Sequence, residues 1–301
     1  MLMDKVVGID IGGTFIKGGL VNENGEMLSF SKIETPTTKD MAIVCENIAK
    51  LVDSLCNFAN IQFKELKAVG VACAGAIDSE KGTVIVSSNL GWHNVQLKTI
   101  LEERLKLPVA VCNDADAAML AEVKFGVGKG CDNVILLTLG TGVGSGVWKD
   151  GRLLDRVELG HVVIENNGRE CICGRKGCFE TYASASGLVR AVISAVKEQD
   201  TQMKAERDIT GKTAFLYYDK DSVARKVLDE YFNHLVCGIV NCANIFQSEM
   251  IVLGGGICKS LEKYIPQLEL RVNQEAAFPI SLKIAHYGNC AGVIGATALW
   301  R

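Results

Sequence analysis

Val6-Val7-Gly8-Ile9-Asp10-Ile11-Gly12-Gly13-Thr14 is an apolar strand that runs into adjacent glycines, and Val134-Ile135-Leu136-Leu137-Thr138-Leu139-Gly140-Thr141-Gly142 repeats that pattern. Each copy is followed by a second apolar segment, 15–21 or 143–148, and then by a hairpin turn, Asn24-Gly25 or Asp150-Gly151. Strand, glycine turn, strand, Asn-Gly or Asp-Gly turn, strand is the same reading twice. Aligning the glycines sets Asp10 against Thr138 and Gly12 against Gly140. The repeat predicts two duplicated units facing each other.

Around the copies, helices and strands alternate. Residues 40–58 have helical periodicity, with Ile43, Val44, Ile48, Leu51, Val52 and Leu55 on one face. Short apolar strands are predicted at 66–72, 84–87, 109–112 and 250–253. Helices are predicted at 97–105, 114–125 (from an acidic cap), 186–197, 222–246 and 291–300. An α/β class follows. Only four Pro occur and no low-complexity linker is visible, so a boundary between units must be a hinge. The expected lobes are 1–113, with 290–301 packing back on it, and 114–289.

Composition narrows the function. The 301 residues allow two cores. A 48% hydrophobic and 22% charged composition is that of a soluble globular protein. A net charge of −3 without a basic tract argues against nucleic acid as a partner. No apolar run is long enough to span a bilayer, and residues 1–4 lead directly into a strand, so neither membrane nor export signal is expected. Twelve Cys without an export signal point to a reducing cytoplasm. Cys45, Cys56, Cys73, Cys112, Cys237 and Cys242 sit in apolar stretches and read as small core residues.

Each glycine turn lies between two strands, so neither is a Walker loop nor a dinucleotide fingerprint, both of which need a following helix. Gly12, Gly13, Gly140 and Gly142 still leave backbone N–H groups free to converge on an anion. One such turn alone is equally well a tight β-turn; two from facing units suit the phosphates of one nucleotide. Asp10, at a strand end, suits Mg²⁺ directly or through water. Thr14 and Thr141 add hydroxyls, and Lys17 suits a phosphate contact. Gly254-Gly255-Gly256, after a buried strand, gives a flat adenine or ribose room to approach.

Asn113-Asp114 falls at a strand-to-helix junction, a common place for site residues in α/β folds. Asn113 suits hydrogen bonds to sugar hydroxyls, and Asp114 suits a general base that takes the proton of an attacking hydroxyl. From spacing alone, Asp114 reads rather as the cap of the helix it begins.

The window ELGHVVIENNGRECICGRKGCFE, 158–180, holds His161, Cys171, Cys173 and Cys178. One imidazole and three thiolates are the full ligand set of a closed, structural Zn²⁺ site. Gly174 and Gly177 let the chain reverse so that Cys178 returns to the metal. Cys-x-Cys is closer than the spacing of ordinary fingers and ribbons. Glu158 and Glu180 flank the ligands, and two rigidly held carboxylates suit a hydroxylated ligand.

Together these residues resemble the ROK family of bacterial sugar kinases and sugar-responsive repressors, within the actin-like ATPase superfamily, along essentially the whole chain. Asp10-x-Gly-Gly-Thr14-x-x-Lys17 is similar to the first phosphate motif, Gly140-Thr141-Gly142-x-Gly144 to the second, and Leu253-Gly254-Gly255-Gly256 to the adenosine motif. Glu158-x-Gly160-His161 and Cys171-x-Cys173-Gly174-x-x-Gly177-Cys178-x-Glu180 match the family signature. The resemblance implies a two-lobed actin-like (ribonuclease H-like) fold with a central nucleotide and sugar cleft, and a homodimer. It implies ATP, Mg²⁺ and structural Zn²⁺, with Asp114 as catalytic base and Asn89, Asn113, Asp114, Glu158, His161 and Glu180 at the hexose. His161 then has two tasks, one ring nitrogen on Zn²⁺ and the other toward a sugar hydroxyl.

Ser88-Asn89-Leu90-Gly91-Trp92 most resembles the glucokinase branch. One departure stands out: only 152–157 separates Gly151 from Glu158, where members of the family usually carry a longer Gly/Ala-rich stretch. That loop forms part of the sugar pocket's wall, so its shortening bears on sugar choice. The expected function is ATP-dependent phosphorylation of a hexose, foremost glucose at its 6-hydroxyl. Alternatives are N-acetylmannosamine or another hexose as acceptor, an inactive sugar-binding relative, and a repressor, which the nine residues before Asp10 and the acidic balance disfavour.

Overall fold

The computed structural model describes residues 5–301; the reading of 1–4 as a direct lead into the first strand lies outside the described residues. In the first unit, β1 (Lys5–Ile11), β2 (Phe15–Val21) and β3 (Met27–Glu34) form an antiparallel meander. Then come α1 (Met41–Phe58), β4 (Leu66–Cys73), β5 (Ala76–Asp78), β6 (Thr83–Ser87), β7 (Trp92–Val95), α2 (Leu97–Leu105), β8 (Val109–Asn113) and α3 (Asp114–Phe125). The main sheet runs β3-β2-β1-β4-β8, with β1, β4 and β8 parallel, and β5-β6-β7 make a small antiparallel sheet.

The second unit contains β9 (Val134–Leu139), β10 (Val143–Lys149), β11 (Arg152–Leu154), α4 (Glu180–Ala183), α5 (Ala185–Glu198), α6 (Thr213–Tyr217) and α7 (Ser222–Phe246). It continues with β12 (Met250–Gly254), α8 (Cys258–Leu261), α9 (Ile265–Glu275) and β13 (Ser281–Ile284). Its sheet runs β11-β10-β9-β12-β13, again an antiparallel meander extended by two parallel strands. The repeat read from the glycine turns is therefore a repeat of topology.

Each unit has its own core: Ile9, Ile48, Leu55 and Val71 belong to the first, and Leu137, Phe179, Phe232 and Leu253 to the second. α1 shows how the sequence builds these layers. Asp40 accepts from the N–H groups of Ala42 and Ile43 at 2.9 and 3.2 Å, satisfying donors that the first turn leaves unpaired. Val44, Ile48, Leu51, Val52 and Leu55 are buried as the periodicity required, but Ile43 is 45% exposed. Cys45 takes the inner position instead.

The boundary expected after Asn113 lies later. The first unit runs to Gly130 and is completed by Asn289–Arg301, and the second is Cys131–Gly288. The reason is the docking of α10 (Ala291–Ala298) on α3, β1 and β4. A Cβ on Gly295 would stand 1.5 Å from the Ala117 carbonyl oxygen, so helix backbones touch there. Cβ atoms on Gly8 and Gly70 would each meet a carbonyl oxygen of 293–296 at 1.9 Å. α3 thus cannot be assigned apart from the sheet of the first unit.

All twelve Cys are free thiols. Cys45, Cys56, Cys73, Cys112 and Cys242 are buried, whereas Cys237 is only half-buried, against the core reading. Burial pushes the Cys73 and Cys242 thiols up to about 12, which keeps them neutral. Among the described residues, no helix is long and apolar enough to cross a membrane.

Candidate functional site

In the first unit the glycine turn between β1 and β2 is fastened by the residue that follows β3. Thr35 donates its hydroxyl to the Gly12 carbonyl at 2.7 Å and its N–H to the Thr14 carbonyl at 2.9 Å. Asp10 and Lys17 are cross-strand partners, and the Lys17 Nζ lies 3.0 Å from Asp10 Oδ2. They were read separately as metal and phosphate ligands; they form one ion pair at the mouth of the turn. Lys17 also donates to the Asn289 carbonyl at 3.2 Å.

Asn89 stands beside this turn: a Cβ on Gly13 would lie 3.5 Å from the Asn89 Cβ and carbonyl oxygen. Lys39 Nζ donates to that same carbonyl, and Trp92 Nε1 donates to the Lys39 carbonyl at 2.8 Å. Thr35, Lys39 and Trp92 were missed by sequence reasoning. They act through side-chain-to-backbone hydrogen bonds over long separations, which leave no periodic trace.

At the junction of β8 and α3 the cap is Asn113, not Asp114. Asn113 Oδ1 accepts from the Ala115 N–H at 2.7 Å, and its Nδ2 donates to the Gly75 carbonyl at 2.7 Å. One amide proton and one lone pair of Asn113 remain for a ligand. Asp114 is the first residue of the helix and also accepts from the Ala115 N–H, at 3.0 Å.

In the second unit, the turn 140–142 closes on itself through Gly140 N–H to the Gly142 carbonyl at 3.0 Å, and Ala185 N–H, at the start of α5, donates to the Gly140 carbonyl at 2.9 Å. Gly255, at φ +100°, packs beside it; a Cβ there would stand 2.4 Å from the Leu139 carbonyl oxygen. The fold thus brings the second phosphate motif and the adenosine motif together.

The ligand atoms of His161, Cys171, Cys173 and Cys178 all lie within 4.8 Å of one another. Cys173 Sγ and Cys178 Sγ are 3.6 Å apart, as are Cys171 Sγ and His161 Nδ1. Zn–S bonds of about 2.3 Å and Zn–N bonds of about 2.05 Å at tetrahedral angles give about 3.8 Å for S···S and about 3.6 Å for S···N. These distances fit zinc, which His161 would ligate through Nδ1.

Local chemistry agrees. The Arg175 N–H, followed by Cys171, pulls the Cys173 thiol down to about 6, giving one thiolate to capture a cation. Burial, followed by the hydrogen bond to Glu180, pushes Cys171 up to about 12, so a metal must displace that proton. The loop is closed by antiparallel bridges between Val163 and Cys178 and between Glu170 and Lys176. Its end is anchored by fully buried Phe179, whose ring fills the space beside Gly238 on α7. Phe179 was not picked out from the sequence, although its place between Cys178 and Glu180 was the available signal.

The two flanking carboxylates differ. Glu180 joins the cluster to the phosphate turn: Oε1 lies 3.0 Å from Cys171 Sγ and 3.6 Å from His161 Nδ1, and Oε2 stands 2.5 Å from where a Cβ on Gly142 would be. Glu158 is exposed and borders a short turn, Leu159–His161.

Duplicated units of this topology, each with a glycine turn, and a Cys₃His loop beside one of them define the class: residues 6–301 match the ROK family model, and the chain belongs to that family. It is 38% identical to the glucokinase of Halalkalibacterium halodurans, over 96% of this chain and 92% of that one. The crystal structure of a ROK family glucokinase from Streptomyces griseus in complex with glucose and AMPPNP superposes with a TM-score of 0.80 at 30% identity, covering 98% of both chains. The xylose repressor of Caldicellulosiruptor bescii is 27% identical over 98% of this chain and 77% of its own. The two-lobed actin-like ATPase fold implied by the sequence is the fold of this chain.

Proposed function

We propose that the chain is an ATP-dependent glucokinase that transfers the γ-phosphoryl group to the 6-hydroxyl of glucose. The observation that carries the reading is the junction at Asn113: its side chain caps α3, so Asp114 is not needed as the cap. Asp114 accepts the hydroxyl proton as the sugar oxygen bonds to the γ-phosphorus. The bond from that phosphorus to the bridging oxygen breaks, and ADP leaves with the electron pair. Backbone N–H groups of Gly13, Thr141 and Gly142, with the hydroxyls of Thr14 and Thr141, hold the phosphates, whereas the Gly12 and Gly140 N–H groups close their turns on the Phe15 and Gly142 carbonyls. Gly254, Gly255 and Gly256 seat the adenosine.

Asp10 would hold Mg²⁺, which offsets phosphate charge when bound, and Lys17 would then turn to phosphate. Asn89, Asn113, Glu158, His161 and Glu180 bind sugar hydroxyls. His161, Cys171, Cys173 and Cys178 would hold Zn²⁺ in a structural role, with the His161 Nε2–H left to donate to a sugar hydroxyl.

A coupled ADP-release assay with glucose, mannose, allose, fructose and N-acetylmannosamine tests the reading. Highest kcat/KM with glucose is expected. A preference for N-acetylmannosamine moves the assignment to that kinase, and no turnover with any sugar leaves a binding protein. Metal analysis should find about one zinc per chain. Cys173→Ser should lose zinc and weaken glucose binding; unchanged glucose affinity in a zinc-free variant would dissociate the loop from sugar recognition.

A further inference from the structure

We infer that Ser145 is a positioning residue for Glu158, an inference that rests on the sugar-kinase reading above. Ser145 lies in β10, directly after the second phosphate motif, and is only 6% exposed. Its hydroxyl is used twice. It donates to the Val157 carbonyl at 2.7 Å and accepts from the Leu159 N–H at 2.9 Å. These are the peptide groups on either side of Glu158, so one buried hydroxyl grips the backbone around that carboxylate.

The grip is part of a wider pinning. Gly160 lies against β10 so closely that a Cβ would stand 2.1 Å from the Val143 carbonyl oxygen. His161 is fixed by its place in the Cys₃His cluster and by its N–H to the Glu158 carbonyl at 3.2 Å. Leu159 is buried in the core of the second unit. Within 158–160, Glu158 alone is exposed, and its neighbours are held on both sides.

This matters in a chain whose approach to Glu158 is only 152–157. The connection is held at β11, by pairing with β10, and by Leu154 and Val157 against the core, but none of these contacts is made by the peptide groups of Glu158 itself. Arg156 at φ +60° and exposed Asp155 show that the segment turns sharply just before the grip. Ser145 supplies from β10 a restraint at Glu158 itself. Its role is indirect: it acts through Glu158.

Steady-state kinetics of Ser145→Ala decide the matter. Loss of two hydrogen bonds to a loop should raise KM for glucose about tenfold, with KM for ATP little changed and the melting temperature of the zinc-loaded protein lowered by a few degrees, since two backbone groups lose their partner. Ser145→Cys, which keeps the shape but is a weak donor, should behave alike and serves if the alanine variant does not fold. In a Glu158→Ala background, Ser145→Ala should change kcat/KM for glucose less than about twofold, because the residue it positions is gone. Effects that simply multiply in the double variant, or equal losses for ATP and glucose, overturn the positioning role while leaving the kinase reading intact. Absence of hexose turnover in the wild-type chain overturns both.

Discussion

The junction at residues 113 and 114 shows what one position decides. Sequence patterns locate a strand followed by a helix to within a residue or two, and both Asn and Asp are good caps. The choice between them depends on backbone dihedrals: Asn113 at φ −67°, ψ 153° is still extended, and its Oδ1 reaches the Ala115 N–H. Asp114→Asn should therefore fold with a stability change within about 0.5 kcal/mol. Its kcat should fall roughly 10²–10⁴-fold, the usual contribution of a general base, while calorimetry still registers glucose binding. A variant retaining more than about a tenth of wild-type kcat would remove Asp114 from the base role. Asn113→Ala is the converse case. It loses the cap and the tie to the Gly75 carbonyl, and should cost about 1–3 kcal/mol in urea denaturation.

At the scale of elements, long or repeated patterns were legible and short ones were not, with one exception: α9 has eleven residues but buries only Leu268 and Val272, too narrow a stripe to stand out. The two meanders were readable because Gly12-Gly13, Gly140 and Gly142 punctuate apolar runs at equal spacing, and α1 because its buried stripe covers five turns. β5, β7 and β13 have only three or four residues each, too few for alternation to stand out, and they exist because neighbours pair with them. The metal loop was legible in its ligands but not in its anchor, since a single Phe179 beside three Cys carries no period.

α7 was read correctly at both ends, and its N-terminus gives a prediction. Asp221 is buried, which opposes its charge, yet N–H groups of Ala224, Gln202 and Val223 and the Thr201 hydroxyl donate to it and hold its carboxyl below the usual carboxylate range. A folded pKa below the unfolded one means that the stabilisation is complete above the unfolded value, about 4, and is lost as pH falls through the folded value. Asp221→Ala should cost about 2–4 kcal/mol at pH 7. The gap from wild type, followed by urea denaturation, should narrow below about pH 4. A gap independent of pH would assign the loss to packing instead of charge.

Across the whole molecule, chain order and unit membership do not coincide. The second unit is continuous from Cys131 to Gly288, whereas the first is assembled from residues on both sides of it. The sequence pointed to duplication and to a C-terminal helix returning to the first unit, but it could not set the boundary. That limit is physical: the affiliation of α3 depends on backbone contact between Ala117 and Gly295, far apart in sequence.

The consequence is an asymmetry in stability. Removing Asn289–Arg301 strips α10 from β1, β4 and α3, exposing faces whose Gly8 and Gly70 are shaped for helix backbone and leaving the Val69 carbonyl without the Trp300 Nε1–H, now at 3.1 Å. Buried Val293, Ile294 and Ala296 go with it. At about 1.5–3 kcal/mol per large apolar side chain, the loss equals much of a domain's net stability. Hydrogen exchange of the chain ending at Gly288 should therefore show β1, β4 and α3 unprotected, while β9, β12 and α7 keep protection from their own core. A milder form of the same test is Gly70→Ala. Its new Cβ has no room beneath the Ala296 carbonyl, so protection should fall in the first unit first. Equal loss of protection in both units would mean that they unfold as one cooperative body, and that the second unit depends on the first.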